Sequence, residues 1–121
     1  MSNTRFSRTT NLRIGLLGGS FDPPHYGHVH ITKQAFKAFR LNKIWWLVSP
    51  GNPLKSKEPV PIEKRVQACK EMINNSNVIV SEIEYHLKTR FTADTIRRLS
   101  NLYPNVRFVW LMGADNLVIF H

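Results

Sequence analysis

Apolar positions along the chain follow two rhythms. Arg13–Leu17 (RIGLL), Lys43–Ser49 (KIWWLVS), Val78–Ser81 and Val106–Met112 (VRFVWLM) are short, nearly continuous apolar runs of strand length. Such runs suit strands covered on both faces, as in a parallel sheet. Between them apolar residues recur at helical spacing. Val29, Ile31, Ala35, Phe36 and Phe39 predict a helix from about Tyr26 to about Arg40. Val66, Cys69, Met72 and Ile73 predict a second from Pro61 to Asn75, with Pro61 near its start and Glu63 in its first turn. Ile96, Leu99 and Leu102 predict a third over Thr92–Leu102, with Thr92 as N-cap and Arg97 and Arg98 facing outward. A further helix is expected to begin at Asn116 and run into Leu117–Val118–Ile119–Phe120. Strands alternating with helices make βαβ units, right-handed by rule. The expected class is therefore α/β: a parallel sheet with the strand near Ile14–Leu17 at its centre and helices on both faces.

The junction after the first strand departs from a plain connection. It reads Gly18-Gly19-Ser20-Phe21-Asp22-Pro23-Pro24-His25-Tyr26-Gly27-His28. Two glycines allow a tight turn and close approach of backbone to a ligand. Pro23-Pro24 stiffens the next turn and keeps Asp22 out of helical geometry. Strand, Gly-rich turn and helix start together aim backbone N–H groups and a positive helix end at one point, which suits a phosphate. His25 precedes the helix and His28 falls in its first turn, so both share one side of the helix start. Gly27 leaves room between them. Two imidazoles there can donate to phosphate oxygens and, if protonated, stabilise growing negative charge. The stretch is not a Walker A loop, since no Gly-Lys-Ser/Thr follows, and it lacks the third glycine of the dinucleotide fingerprint.

Composition narrows the classes. The chain has 121 residues, enough for one domain, and 42% of them are hydrophobic. No apolar run approaches the ~20 residues of a membrane span. One cysteine, Cys69, excludes an internal disulfide and fits a cytoplasmic protein; within its helical pattern it reads as a buried small residue. No Cys/His cluster has zinc spacing, so no protein-held metal is expected. The formal net charge is +9. The cations are spread along the chain rather than gathered in a tail, so they read as solvated faces with a few serving an anionic site. Neither nucleic acid nor membrane is expected as a partner. Residues 1–12 are polar, with Arg5 and Arg8 but no acid and no clear amphipathic helix, and read as a disordered leader. Pro50–Pro61 (PGNPLKSKEPVP) reads as a loop at the carboxyl end of the second strand, where open α/β sheets bind ligands. Its Lys55 and Lys57 are either solvated or turned to an anion. Asp115, after Gly113-Ala114, either caps the next helix or accepts from hydroxyl groups.

GGSFDPPHYGH resembles the signature of bacterial nicotinate mononucleotide adenylyltransferases, nucleotidyltransferases marked by His/Thr-x-Gly-His. The resemblance runs from about Arg13 to the end of the chain. It implies a single Rossmann-like doubly wound domain of nucleotidyltransferase type over residues 13–121, C-terminally incomplete. By resemblance Gly18, Gly19, Ser20 and Phe21 line the phosphate and substrate pocket, and His25 and His28 are the catalytic pair. Lys55 falls where the family's Pro-rich segment ends in a basic pair, which implies that it reaches the ATP phosphates. Thr92, in Arg90-Phe91-Thr92, matches an aromatic-Thr pair near the pyridine, which implies binding of the nicotinate carboxylate beside helix capping. Here Phe91 stands in place of the more usual Tyr. The family's matching Gly-Ala-Asp contacts the nucleotide, which brings Gly113 and Asp115 into the site. A Ser/Thr-x-Thr-x-x-Arg segment that binds ATP phosphates further along the family's chain has no copy here.

The implied reaction is adenylyl transfer from ATP to nicotinate mononucleotide, giving nicotinate adenine dinucleotide and pyrophosphate in NAD biosynthesis. The phosphate attacks directly, so no protein nucleophile is needed; positioning and charge stabilisation remain the protein's work. Mg²⁺ is expected, held mainly by ATP phosphates. Without the later phosphate-binding segment this chain is expected to turn over poorly. Its apolar Leu117–Phe120 end is expected to expose a patch that favours self-association. Two alternatives stay open: a sister transferase such as pantetheine-phosphate adenylyltransferase or a cytidylyltransferase, and a non-catalytic nucleotide-binding module. Asp22-Pro23-Pro24-His25 and Arg90-Phe91-Thr92 argue against the first.

Overall fold

The structure is a computed structural model that describes residues 12–49, 60–83, 92–111 and 119–120. In chain order the elements are β1 (Leu12–Gly19), α1 (Tyr26–Phe39), β2 (Lys43–Val48), α2 (Ile62–Met72), β3 (Val78–Ser81), α3 (Thr92–Leu102), β4 (Val106–Leu111) and β5 (Ile119–Phe120). They form one five-stranded sheet in the order β3-β2-β1-β4-β5. β1 is central and pairs in parallel with β2 on one side and β4 on the other, and β3 pairs in parallel with β2.

Alternation along the strands sorts the core into two layers. Leu17, Ile44, Trp46, Val48, Val109 and Leu111 point to one face. There they meet Ile31 and Ala35 of α1, Cys69 of α2, and the flanking Phe36, Phe39, Ile62 and Val66. Ile14, Leu16, Leu47, Phe108 and Trp110 point to the other face, under Leu99 and Ile96 of α3. The neighbouring Trp45 and Trp46 therefore serve opposite layers. Trp46 is fully buried, whereas Trp45 packs edge-on to Phe108 and Tyr103. Helices of 11 and 14 residues are marginal alone, so packing of their apolar stripes onto the sheet stabilises them.

Several boundaries differ from the sequence expectation. β1 runs on through Gly18 and Gly19, which pair with Leu47 and Val48, so the turn begins only at Ser20. Parallel pairing with β2 holds the glycines in the ladder. α2 stops at Met72 because Ile73 turns extended, and Asn75 Oδ1 then accepts from the Asn77 amide. Ile119 and Phe120 are not helical: they pair antiparallel with Leu111 and Trp110 at the outer edge of β4. A β-branched and an aromatic residue suit an edge position. Residues 1–11, nearly all of the expected 1–12 leader, and 50–59, most of the Pro-rich segment, lie outside the described residues.

Candidate active site

The carboxyl ends of β1 and β2 create the site. The Ser49 amide donates to the Gly19 carbonyl at 2.9 Å, carrying the ladder one step past Val48. Gly18 and Gly19 differ in what they accommodate. A Cβ on Gly18 would lie 2.8 Å from the Trp110 ring, so this glycine serves packing. A Cβ on Gly19 would meet Phe21 at 3.5 Å and His28 Nε2 at 3.8 Å, ordinary contacts, so a side-chain carbon is tolerated there. Phe21 then reverses the chain with φ 51°. That left-handed conformation is unfavourable for a bulky residue and points to constraint by surroundings. The constraint is a stack: the Phe21 ring lies 4.4 Å from His28 and 5.1 Å from Trp46 between centroids, and is 1% exposed. The resemblance implied that Phe21 lines the pocket. Its ring packs between His28 and Trp46, at the base of the turn.

His25 is the N-cap of α1 and His28 its third residue, and the two close a reciprocal capping box. His25 Nδ1 accepts from the Gly27 amide at 3.0 Å, and His28 Nδ1 accepts from the His25 amide at 3.0 Å. The His28 amide donates to the His25 carbonyl at 3.0 Å. A ring nitrogen that accepts carries no proton, so both imidazoles hold theirs on Nε2. The rings lie 4.1 Å apart, tilted by 38°. This corrects the expectation of free amides at the helix start: those of Gly27 and His28 are occupied by the cap. His28 Nε2 lies on the Gly19 side of the cap, 3.8 Å from where a Cβ on Gly19 would stand.

Three residues not singled out for the site from the sequence support this arrangement. Arg65 of α2 is 4% exposed. Its Nη1 donates to the carbonyls of Ser20 at 2.8 Å and Ser49 at 2.9 Å, and its Nε to that of Val60 at 2.8 Å. One guanidinium thus ties the ends of β1 and β2 to the start of α2. Its signal in the sequence was a cation on the stripe of Ile62, Cys69 and Met72. Thr32 and Trp46, both buried, bond to one another beneath His28; the run KIWWLVS marked Trp46 as an aromatic of the core or the sheet face, and nothing in the spacing marked Thr32 or the bond. Burial pushes the Cys69 thiol up to about 12, with the nearby Arg65 charge opposing. Ser20 and His25 are exposed at the site, and Tyr26 is 82% exposed beside it. Thr92 opens α3. Lys55, Gly113 and Asp115 lie outside the described residues.

A doubly wound sheet whose central strand ends in two glycines beside a pair of histidines at a helix start has the architecture of nucleotide-binding α/β domains. The profile of the cytidylyltransferase-like family matches residues 16–120, and the chain belongs to that family. It is 59% identical over 108 residues to a Ruegeria pomeroyi protein named "Probable nicotinate-nucleotide adenylyltransferase", a match covering 89% of this chain and 51% of the relative. A Cereibacter sphaeroides protein of the same name is 58% identical over 108 residues, covering 89% of this chain and 58% of the relative. The chain spans about half the length of these curated relatives. Among solved structures, the Plasmodium falciparum nicotinic acid mononucleotide adenylyltransferase complexed with NaAD superposes with a TM-score of 0.74 at 25% identity, covering 87% of this chain and 53% of that one.

Proposed function

We propose that this chain acts in adenylyl transfer from ATP to nicotinate mononucleotide, yielding nicotinate adenine dinucleotide and pyrophosphate. The observation that carries this reading is the His25–His28 pair, whose caps leave both protons on Nε2 beside the Gly19–Ser20 turn. The names of the relatives and the dinucleotide bound to the Plasmodium protein support the choice of substrates. In the reaction a phosphate oxygen of the mononucleotide bonds to the α-phosphorus of ATP. The bond from that phosphorus to the β-phosphate oxygen breaks, and pyrophosphate leaves with the electron pair. Charge accumulates on the phosphate oxygens, and fixed N–H donors that need no reorganisation stabilise it.

His25 and His28 supply those donors, and the phosphate lies close to the strand end at Gly19. Lys55 adds positive charge to the triphosphate, Thr92 binds the nicotinate carboxylate, and Gly113 and Asp115 meet the nucleotide. Mg²⁺ accompanies ATP and neutralises charge across its phosphate oxygens. Among the described residues there is no group of three or more His, Cys, Asp or Glu that could hold a metal ion. Among the same residues no helix is long and apolar enough to cross a membrane.

The test is an acceptor series. Pyrophosphate release from ATP is measured with nicotinate mononucleotide, nicotinamide mononucleotide and phosphopantetheine, and release from CTP with a phosphorylated alcohol. The proposal expects the highest kcat/KM with ATP and nicotinate mononucleotide. A higher value for phosphopantetheine or for CTP would replace it with a sister transferase. Tight ATP binding without release from any pair would make the chain a binding module.

A further inference from the structure

His28 is held from below by a hydrogen-bond relay buried away from the ligand side. The Trp46 indole Nε1 donates to Thr32 Oγ1 at 2.9 Å, and Thr32 Oγ1 donates to the His28 carbonyl at 2.8 Å. The direction is forced. An indole nitrogen only donates, so the hydroxyl must accept there and spend its single proton on His28. All three residues are buried: Trp46 is 0%, Thr32 2% and His28 7% exposed. The same Trp46 also bears on the His28 ring, directly at 5.8 Å between centroids and through Phe21, whose ring stacks on Trp46 at an interplanar angle of 17°. Backbone and ring of His28 are thus both referred to one rigid side chain on β2, the strand whose end borders the site.

We propose that Thr32 and Trp46 are a positioning pair for His28, fixing where its Nε2–H points above Gly19. A hydroxyl bonding back to the carbonyl four residues earlier tilts that turn of the helix. Here that turn begins at His28, the residue that closes the cap with His25. The tilt sets the angle at which the capping box closes, and the Phe21–Trp46 stack sets the ring plane. Neither Thr32 nor Trp46 touches the reacting groups. Their part in turnover rests on the adenylyl-transfer reading; their hold on His28 does not.

The test separates a positioning role from a merely structural one. Thr32→Val leaves the Trp46 N–H buried without an acceptor, so it costs stability as well as geometry. Thr32→Val combined with Trp46→Phe removes both polar partners, so no donor is left orphaned, and what remains of the stability loss is that of the smaller ring in a buried site. Thr32→Ser keeps the relay and serves as the conservative control. Long-range ¹H–¹⁵N spectra of the imidazoles report the His28 tautomer without any substrate. The parent and Thr32→Ser are expected to show the single Nε2–H form. Thr32→Val and the double variant are expected to show a mixture of tautomers, with kcat lowered by up to about a hundredfold and KM for ATP nearly unchanged. Recovery of both the single tautomer and kcat along with thermal stability in the double variant would overturn the proposal. So would an unchanged His28 tautomer in Thr32→Val. If the parent itself releases no pyrophosphate from ATP, the transfer reading fails, and the spectra still decide the positioning.

Discussion

Gly18 and Gly19 are neighbours with opposite reasons to be glycine, and the difference is open to measurement. Gly18 faces Trp110, an aromatic ring that cannot swing away as a flexible side-chain end would. Gly18→Ala is expected to destabilise the fold by about 1–3 kcal/mol through overpacking, read as a lower denaturation midpoint. Gly19 has no such neighbour: its Cβ would make ordinary contacts with Phe21 and His28. Gly19→Ala is expected to leave the midpoint close to the parent's and to weaken ATP binding, because the methyl occupies the approach to His28 Nε2. Equal midpoints for the two variants would mean that Trp110 yields. Unimpaired ATP binding by Gly19→Ala would mean that phosphate does not approach there. The sequence announced both glycines as one turn, since two adjacent glycines carry no sign of which face each presents. Only the parity of β1, with Gly18 toward the Trp110 layer and Gly19 toward α1, tells them apart.

At the scale of elements, α2 shows what periodicity captures and what it misses. Of the stripe Val66, Cys69, Met72 and Ile73, the structure packs Val66, Cys69 and Ile73 into the core, whereas Met72 is half-buried at the end of the helix. Arg65 on that face was passed over because cations in a helix usually lie outward; its three carbonyl partners come from loop segments that no local pattern connects. The histidine cap was legible in place but not in chemistry. His-x-x-His at a helix start fixes adjacency, whereas the tautomer depends on which backbone amide each ring accepts. Burial of α2 also has a pH signature at Cys69. Its pKa rises from 9.0 to about 12, so the folded chain holds a proton that the unfolded chain releases. Stability from this group is complete below pH 9 and is lost as pH climbs toward 12. Relative to Cys69→Ala, the parent is expected to lose about 1.4 kcal/mol for each pH unit in that window. Urea midpoints at about pH 8, 9.5 and 10.5 bracket the onset of that loss and compare the two; parallel curves would show that the thiol is not held protonated by the fold.

At the scale of the whole molecule, the parallel sheet with β1 at its centre follows from the alternation of buried strands and amphipathic helices together with the rules for parallel crossovers, so this part of the architecture was legible in the sequence. The edge strand β5 was not. Leu117–Phe120 has helix-like apolar density, and pairing of Ile119 and Phe120 with the free side of β4 overrides it. Placing β1 at the centre brings its carboxyl end, the α1 cap and the end of β2 together, so the groups of the candidate site converge. The central claim is that this convergence stabilises charge developing on phosphate oxygens through two Nε2–H donors. The direct measurement is the kcat and KM of ATP-dependent adenylyl transfer to nicotinate mononucleotide by the whole protein, beside His25→Ala and His28→Ala. Each substitution is predicted to lower kcat by ~10²–10³-fold while KM for ATP changes far less. A KM that rises with kcat intact would contradict the claim, and would reduce both histidines to grips on the ground state.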